Sequence, residues 1–262
     1  MGRKRPVAIL LGVSLALAAC GSSEHPTGRE GTAELTVFAA SSLTAAFTQI
    51  DSDFEAANPG TTVTFNFGSS ADLAASIESE GTADVFASAS GTYMDEVSNK
   101  VGVLGRADFV QNKLVVITPA DNPAGILGVE DLAKPNVQVV LAAEGVPVGD
   151  YARQALQSAG IAKAVLANVV SNEDDDASVV AKITSGEADA AIVYLSDVTI
   201  AVASQVNAVQ IPDDVNVIAT YPIAVVTGTS HTDAAQAFVD YVTGSQGQAT
   251  LADFGFLPPP IT

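Results

Sequence analysis

From residue 34 onward, short apolar runs alternate with stretches of helical period. Residues 35–39 read as a buried strand. Over residues 43–57, Leu43, Ala46, Phe47, Ile50 and Phe54 recur at helical spacing on one face, and Asn58-Pro59-Gly60 stops that helix. Residues 61–67 then alternate, with Val63, Phe65 and Phe67 on one side of a strand. A helix over 71–80 closed by Gly81, a strand over 84–88 and a helix from residue 89 through 97 follow. This β-α-β-α-β-α order predicts a parallel sheet covered by helices.

A second unit of the same kind opens with a strand over 113–118. Strands are expected at 137–142, 168–171 and 188–195, and helices at 150–158 and 178–185, with Ser196-Asp197 capping another. Residues 215–226, broken at Tyr221-Pro222, are long enough for two strands; terminal helices follow over 233–242 and 245–254. The halves echo one another. Gly81-Thr82-Ala83-Asp84 recurs as Gly186-Glu187-Ala188-Asp189, closing a helix and opening a strand each time. Superposing the two glycines sets Ser70 opposite Asp175 and Ala71 opposite Asp176, at the start of the equivalent helix. The expectation is an α/β protein of two similar lobes, residues 33–112 plus 219–262 and residues 113–218, with helix starts facing a shared cleft.

The first 32 residues stand apart from this pattern. A basic start, Arg3-Lys4-Arg5, precedes an apolar stretch over 7–16 and the ending Leu17-Ala18-Ala19-Cys20, which together read as a secretory signal over 1–19. The ending resembles the bacterial lipobox, which implies cleavage before Cys20 and a lipid on its sulfur, holding the protein on the extracytoplasmic face of the cell membrane. Residues 20–32 then form the lipidated Cys20 and a flexible tether. Cys20 is the only cysteine, so no disulfide framework exists.

Charge narrows the ligand. With the leader set aside, 8 basic residues remain against 30 acidic ones, a net of −22. Such a chain repels nucleic acid and anionic lipid headgroups. Yet the strand ends expected to face the cleft carry Ser41, Ser42, Ser69, Ser70, Ser88 to Ser90, residues 147–149, Asp174 to Asp176 and Tyr194, with no Lys or Arg. Hydroxyls and helix-start amides without cations suit a small, fully deprotonated oxyanion, whose charge is met by dipoles.

At this point the motifs carry a resemblance. Leu35-Thr36-Val37-Phe38-Ala39-Ala40-Ser41-Ser42-Leu43, Gly68-Ser69-Ser70, Ala83-Asp84-Val85-Phe86-Ala87-Ser88-Ala89 and Val146-Pro147-x-Gly149-x-Tyr151-Ala152 resemble the molybdate-binding proteins of ABC importers. So do Gly186-Glu187-Ala188-Asp189-Ala190-x-Ile192-Val193-Tyr194-x-Ser196-Asp197 and Tyr221-Pro222-Ile223-Ala224-Val225-Val226, and the similarity runs from Glu34 to about Leu257. The resemblance implies a two-lobed class II solute-binding fold, each lobe a mainly parallel sheet flanked by helices. It closes on molybdate or tungstate as transported ligand, with no cofactor and no catalysis.

Carried over by motif, Ser42 and Ser70 give hydroxyl and backbone N–H donors, Val148 a backbone N–H, and Tyr194 its phenolic O–H. The fifth position falls at Asp176 through its backbone N–H, or at Asp175 if the register slips by one. Here the chain departs from the pattern: Ala177 stands where a basic residue usually follows, and Asp174-Asp175-Asp176 adds negative charge beside a dianion. That run reads as a solvated acidic turn, not a cation site, since it lacks the spacing of a calcium loop. The implied partners are the oxyanion and the permease of an ABC transporter, for a monomeric receptor bending near Asn112-Lys113 and Ala219-Thr220. Two other readings remain: the same fold binding another oxyanion such as sulfate, and a secreted serine hydrolase using His231. The second lacks a G-x-S-x-G elbow, and His231 reads as a surface helix start.

Overall fold

The strands fall into two parallel trios joined by antiparallel neighbours. In the computed structural model, which describes residues 1, 2 and 33–261, β1 (Ala33–Ala40) lies between β2 (Thr61–Gly68) and β3 (Val85–Ala87), parallel to both. Likewise β5 (Val139–Ala142) lies between β6 (Val169–Glu173) and β7 (Ala190–Tyr194), again parallel. Between the trios run β4 (Val103–Pro119) and β9 (Ile218–Val226), antiparallel to each other, giving the order β2-β1-β3-β9-β4-β7-β5-β6, with β8 (Val206–Gln210) paired to β4. Pairing along β4 changes partner at one point. Residues as far as Lys113 pair with β9, whereas Leu114 onward pairs with β7 and Val115 onward with β8. Over residues 33–261 the chain forms one compact unit.

Helices cover both faces of the first trio, as buried parallel strands require. On one face α1 (Thr44–Ala57) buries Ala46, Phe47, Ile50 and Phe54, the stripe its period predicts. Phe47 and Phe54 both meet Phe238 of α7 (Thr232–Thr243) edge-on, at 6.0 and 5.2 Å. Each such buried ring contributes roughly 1.5–3 kcal/mol. The other face holds a second core, in which Phe38 and Phe86 pack against Leu73 and Ile77 of α2 (Ser70–Glu80) and against Met94 and Val97 of α3 (Gly91–Lys100). In the second trio, α4 (Pro147–Ser158), the short α5 (Ala162–Leu166) and α6 (Asp176–Thr184) pack on the sheet, and α8 (Ser245–Asp253) follows α7.

The repeated Gly-x-Ala-Asp has a physical reason. Asp84 Oδ2 accepts from Thr36 N at 2.7 Å while Asp84 N donates to Thr36 O; Asp189 Oδ2 accepts from Gln138 N at 2.8 Å while Asp189 N donates to Gln138 O. Each Asp thus pins the strand it opens to the central strand of its trio. The echo is offset by one at the far end of the helix. α2 closes directly on Gly81, whereas α6 ends with Ser185 before Gly186, so counting back from the glycines misaligns the two starts by a residue.

Several expectations need correction. Residues 103–112 belong to β4, and register shifts between Leu104 and Ala107 and between Asp108 and Val110 explain their missing alternation. Residues 218–226 are one strand, because Pro222 pairs with Asp108 beside such a shift and its carbonyl accepts from Ser88 N. The helix expected after Ser196-Asp197 is only a 3₁₀ turn, Leu195–Asp197. Strand β8 and helix α5 had no clear periodic signature. Cys20 and the tether lie outside the described residues, and among those described no helix is long and apolar enough to cross a membrane.

Candidate functional site

Where strands stop and helices begin, the two trios put their ends around one small cavity. Its wall is Ala40, Ser41 and Ser42 after β1, Gly68 to Ser70 after β2, Ala89 after β3, Val146 to Val148 after β5, Asp176 after β6 and Tyr194 ending β7. All five residues singled out from the motifs, Ser42, Ser70, Val148, Asp176 and Tyr194, line it, each between 1% and 7% exposed. Asp175 does not; it caps α6, its Oδ1 accepting from Ser178 N at 2.7 Å.

Several wall residues present polar groups that a ligand can use. Ser69 caps α2 by accepting from Ala71 N, leaving Ser70 at the first helical position. Ser70 Oγ accepts from Ala89 N at 2.9 Å, so its own hydrogen is free to point at a ligand. Ser42 Oγ lies 2.9 Å from Tyr221 Oη, which either atom can donate across. The start of α4 carries no side-chain cap, and Pro147 stands at its first position, so the Val148 N–H is one of the orphan amides of a helix start. Gly149 explains how that start comes so close: a Cβ there would lie 2.3 Å from Ala143 O and 2.5 Å from Ala142 O. Behind it Arg153 donates to Ala142 O and Gly149 O at 2.7 and 2.8 Å, fastening α4 to the end of β5.

Tyr194 is the sharpest feature. Its Oη is buried and has no hydrogen-bond partner, although its ring packs edge-on against Tyr221 at 5.7 Å. Burial first, then the oxygens of Tyr221, Tyr151, Asp176 and Asp197, push its pKa well above the ordinary phenol value, so it stays protonated and is a donor. An orphan donor inside a protein costs about 1–3 kcal/mol unless something accepts from it.

Asp176 corrects the expectation of a solvated turn. Asp174 is exposed and Asp175 partly so, but the Asp176 side chain is 4% exposed and its Oδ2 has no partner. Burial raises its pKa to about 6, against a hydrogen bond from the Asp197 carboxyl and helix-start N–H groups that lower it; Asp175 adds to the rise. Burial and the nearby Asp176 push Asp197 up well beyond the carboxylate range, although its Oδ2 accepts from Tyr194 N at 2.8 Å. Two carboxyls in contact share a proton, and Asp197 holds it. Among the described residues, no group of three or more His, Cys, Asp or Glu could hold a metal ion.

Sequence reasoning missed the polar network behind the wall. Asn112 Nδ2 donates to Ser196 Oγ at 2.8 Å and lies 3.4 Å from Tyr221 Oη, tying β4 and β9 to Ser42 and to the turn after β7. From sequence alone its members read as a bend, a strand break and a helix cap, since their partners lie far along the chain. His231, by contrast, precedes α7, 3.6 Å from Asp84, and lines none of this cavity.

Comparison with known proteins bears on this geometry. A family model described as bacterial extracellular solute-binding protein matches residues 35–257. The chain is 39% identical over 249 residues to the molybdate-binding protein ModA of Mycobacterium tuberculosis, covering 93% of each. Among solved structures it resembles the periplasmic molybdate-binding protein of Azotobacter vinelandii, with a TM-score of 0.76 and 20% identity over 86% of this chain and all of that one. It also resembles the sulfate-binding protein SubI of M. tuberculosis, with a TM-score of 0.73 and 19% identity over 86% and 87% of the two chains.

Proposed function

The chain belongs to the bacterial extracellular solute-binding proteins and, within them, to the molybdate-binding family, and from that premise we propose that it captures molybdate, and also tungstate, in the cavity around Tyr194. It is a binding protein, not an enzyme. Ser42 and Ser70 donate from one wall; the Val148 and Asp176 amides and the Tyr194 hydroxyl donate from the other. The observation that carries this reading is the buried, unpartnered Tyr194 Oη in a cavity lined by helix-start amides and no cation. Such donors fit a small oxyanion with no proton of its own to place.

Residues 33–112 plus 219–262 and residues 113–218 act as two lobes that close on the anion, bending where β4 changes partner at Asn112-Lys113 and across from it at Ala219-Thr220. The receptor is a monomer anchored by lipid on Cys20, and it hands its ligand to an ABC transporter permease. Isothermal titration with molybdate, tungstate, sulfate and phosphate tests the ligand: the first two give heat and saturate at one site. Silence with those two and a clear signal with sulfate would move the protein to the other oxyanion.

A further inference from the structure

We propose that Asp176 adds a side-chain acid to the oxyanion site, so that a fully deprotonated oxyanion binds together with one proton taken up from solvent onto the Asp176 carboxyl. The inference rests on the oxyanion reading above and concerns what the side chain at the fifth position does in this chain.

The geometry comes first. Asp176 lines the small cavity and also a neighbouring open groove, whose walls include Ser41, Thr44, Val180, Ser196 and Asp197. The carboxyl therefore stands between the ligand space and solvent, with a path for a proton on its open side. Its Oδ2 is buried and accepts from no protein group. As a carboxylate it would set a full negative charge against the anion in a wall without cations. As an acid it completes the donor set with one more O–H.

The groups around it leave no other source of relief. Asp175 flanks it on α6, Asp197 meets it from the turn after β7, and Tyr194 and Tyr221 face it from β7 and β9. All are neutral or anionic, and neither the cavity nor the groove is lined by Lys, Arg or His. Asp197 already holds one proton between the pair. A dianion placed beside the pair therefore favours a second, on Asp176.

The direction follows from linkage. Free Asp176 titrates near pH 6, and a neighbouring dianion raises that value further. Affinity is therefore full below about pH 6 and falls as pH rises, by up to about tenfold per pH unit for one linked proton. The transfer is balanced: a proton leaves buffer or water and joins the carboxylate, and no bond of the anion breaks.

Titrating the purified protein with sodium molybdate in two buffers of different protonation heat, from about pH 5.5 to about 8.5, counts the protons directly. The expected result is uptake approaching one proton per molybdate above the free titration point, with the matching loss of affinity. Asp176→Asn keeps a donor but cannot titrate, and should bind with no pH slope and no uptake. Asp197→Asn preserves both the donor to Asp176 and an acceptor for Tyr194 N, and should retain the uptake; losing it would assign the proton to Asp197 and overturn the proposal. Molybdate binding with a flat affinity and no proton uptake in the unaltered protein also overturns it while leaving the oxyanion reading intact. No heat with molybdate at any pH would instead defeat that reading, and this inference with it.

Discussion

The starts of α2 and α6 do the same structural work with opposite chemistry. Each is capped by the side chain before it, Ser69 in one and Asp175 in the other, and each helix is followed by a left-handed glycine, Gly81 at φ 63° and Gly186 at φ 74°. Each places its first helical residue, Ser70 or Asp176, buried in the cavity wall. Ser70 is satisfied by Ala89 N and has a hydrogen to give, whereas Asp176 leaves a carboxyl oxygen bare. A repeated backbone frame thus fixes where donors stand without fixing their charge. In the first half the wall is neutral at any pH; in the second it depends on a proton.

The two halves also differ in how much their repeated Asp carries. Asp84 accepts from Thr36 N and from the Thr229 hydroxyl, while Asp189 accepts only from Gln138 N among the side-chain hydrogen bonds of the described residues. Asp84→Ala should therefore cost about 3 kcal/mol of folding stability in denaturant melts, two hydrogen bonds to a charged group. Equal losses for Asp84→Ala and Asp189→Ala would break the asymmetry. Next, Tyr194→Phe should weaken molybdate binding by about 1–3 kcal/mol with little change in stability, since its hydroxyl has no protein partner to lose. An unchanged dissociation constant in calorimetry would take Tyr194 out of the site. Asp189→Ala follows, at about 1.5 kcal/mol of stability. Smallest is His231→Ala, which should shift binding by less than about 0.5 kcal/mol because it lines no part of the cavity. A clear loss of affinity there would point to a site that includes the Asp84 end of the sheet.

Much of this was legible because local rules and the fold agree. The stripe of Phe47, Ile50 and Phe54 announced α1, whereas α4 begins three residues before the helix expected over 150–158, at Pro147, where Gly149 lets it press against the end of β5. Serine at strand ends pointed to Ser41, Ser42, Ser69 and Ser70 alike, and the family resemblance singled out Ser42 and Ser70 among them. What stayed hidden was decided by partners far along the chain. The burial of Asn112, Ser196 and Tyr221 depends on β4, β9 and the turn after β7 meeting at one point, which no window of sequence shows. The first ten residues of β4 lack alternation because bulges reset it, and Pro222 looked like a strand break because its bulged partner lies over a hundred residues away. Asp176 was misjudged for the same reason: an acidic run looks solvated until the turn carrying Asp197 closes over its last member.

The most direct test is a crystal structure grown with molybdate, read by anomalous scattering at the molybdenum edge. The account predicts a single strong peak inside the small cavity, its oxygens within hydrogen-bonding distance of Ser42 Oγ, Ser70 Oγ, the Val148 and Asp176 amides, and Tyr194 Oη. A peak in the open groove beyond Asp176, or one near Asp84 and His231 with Tyr194 Oη still unpartnered, would contradict it.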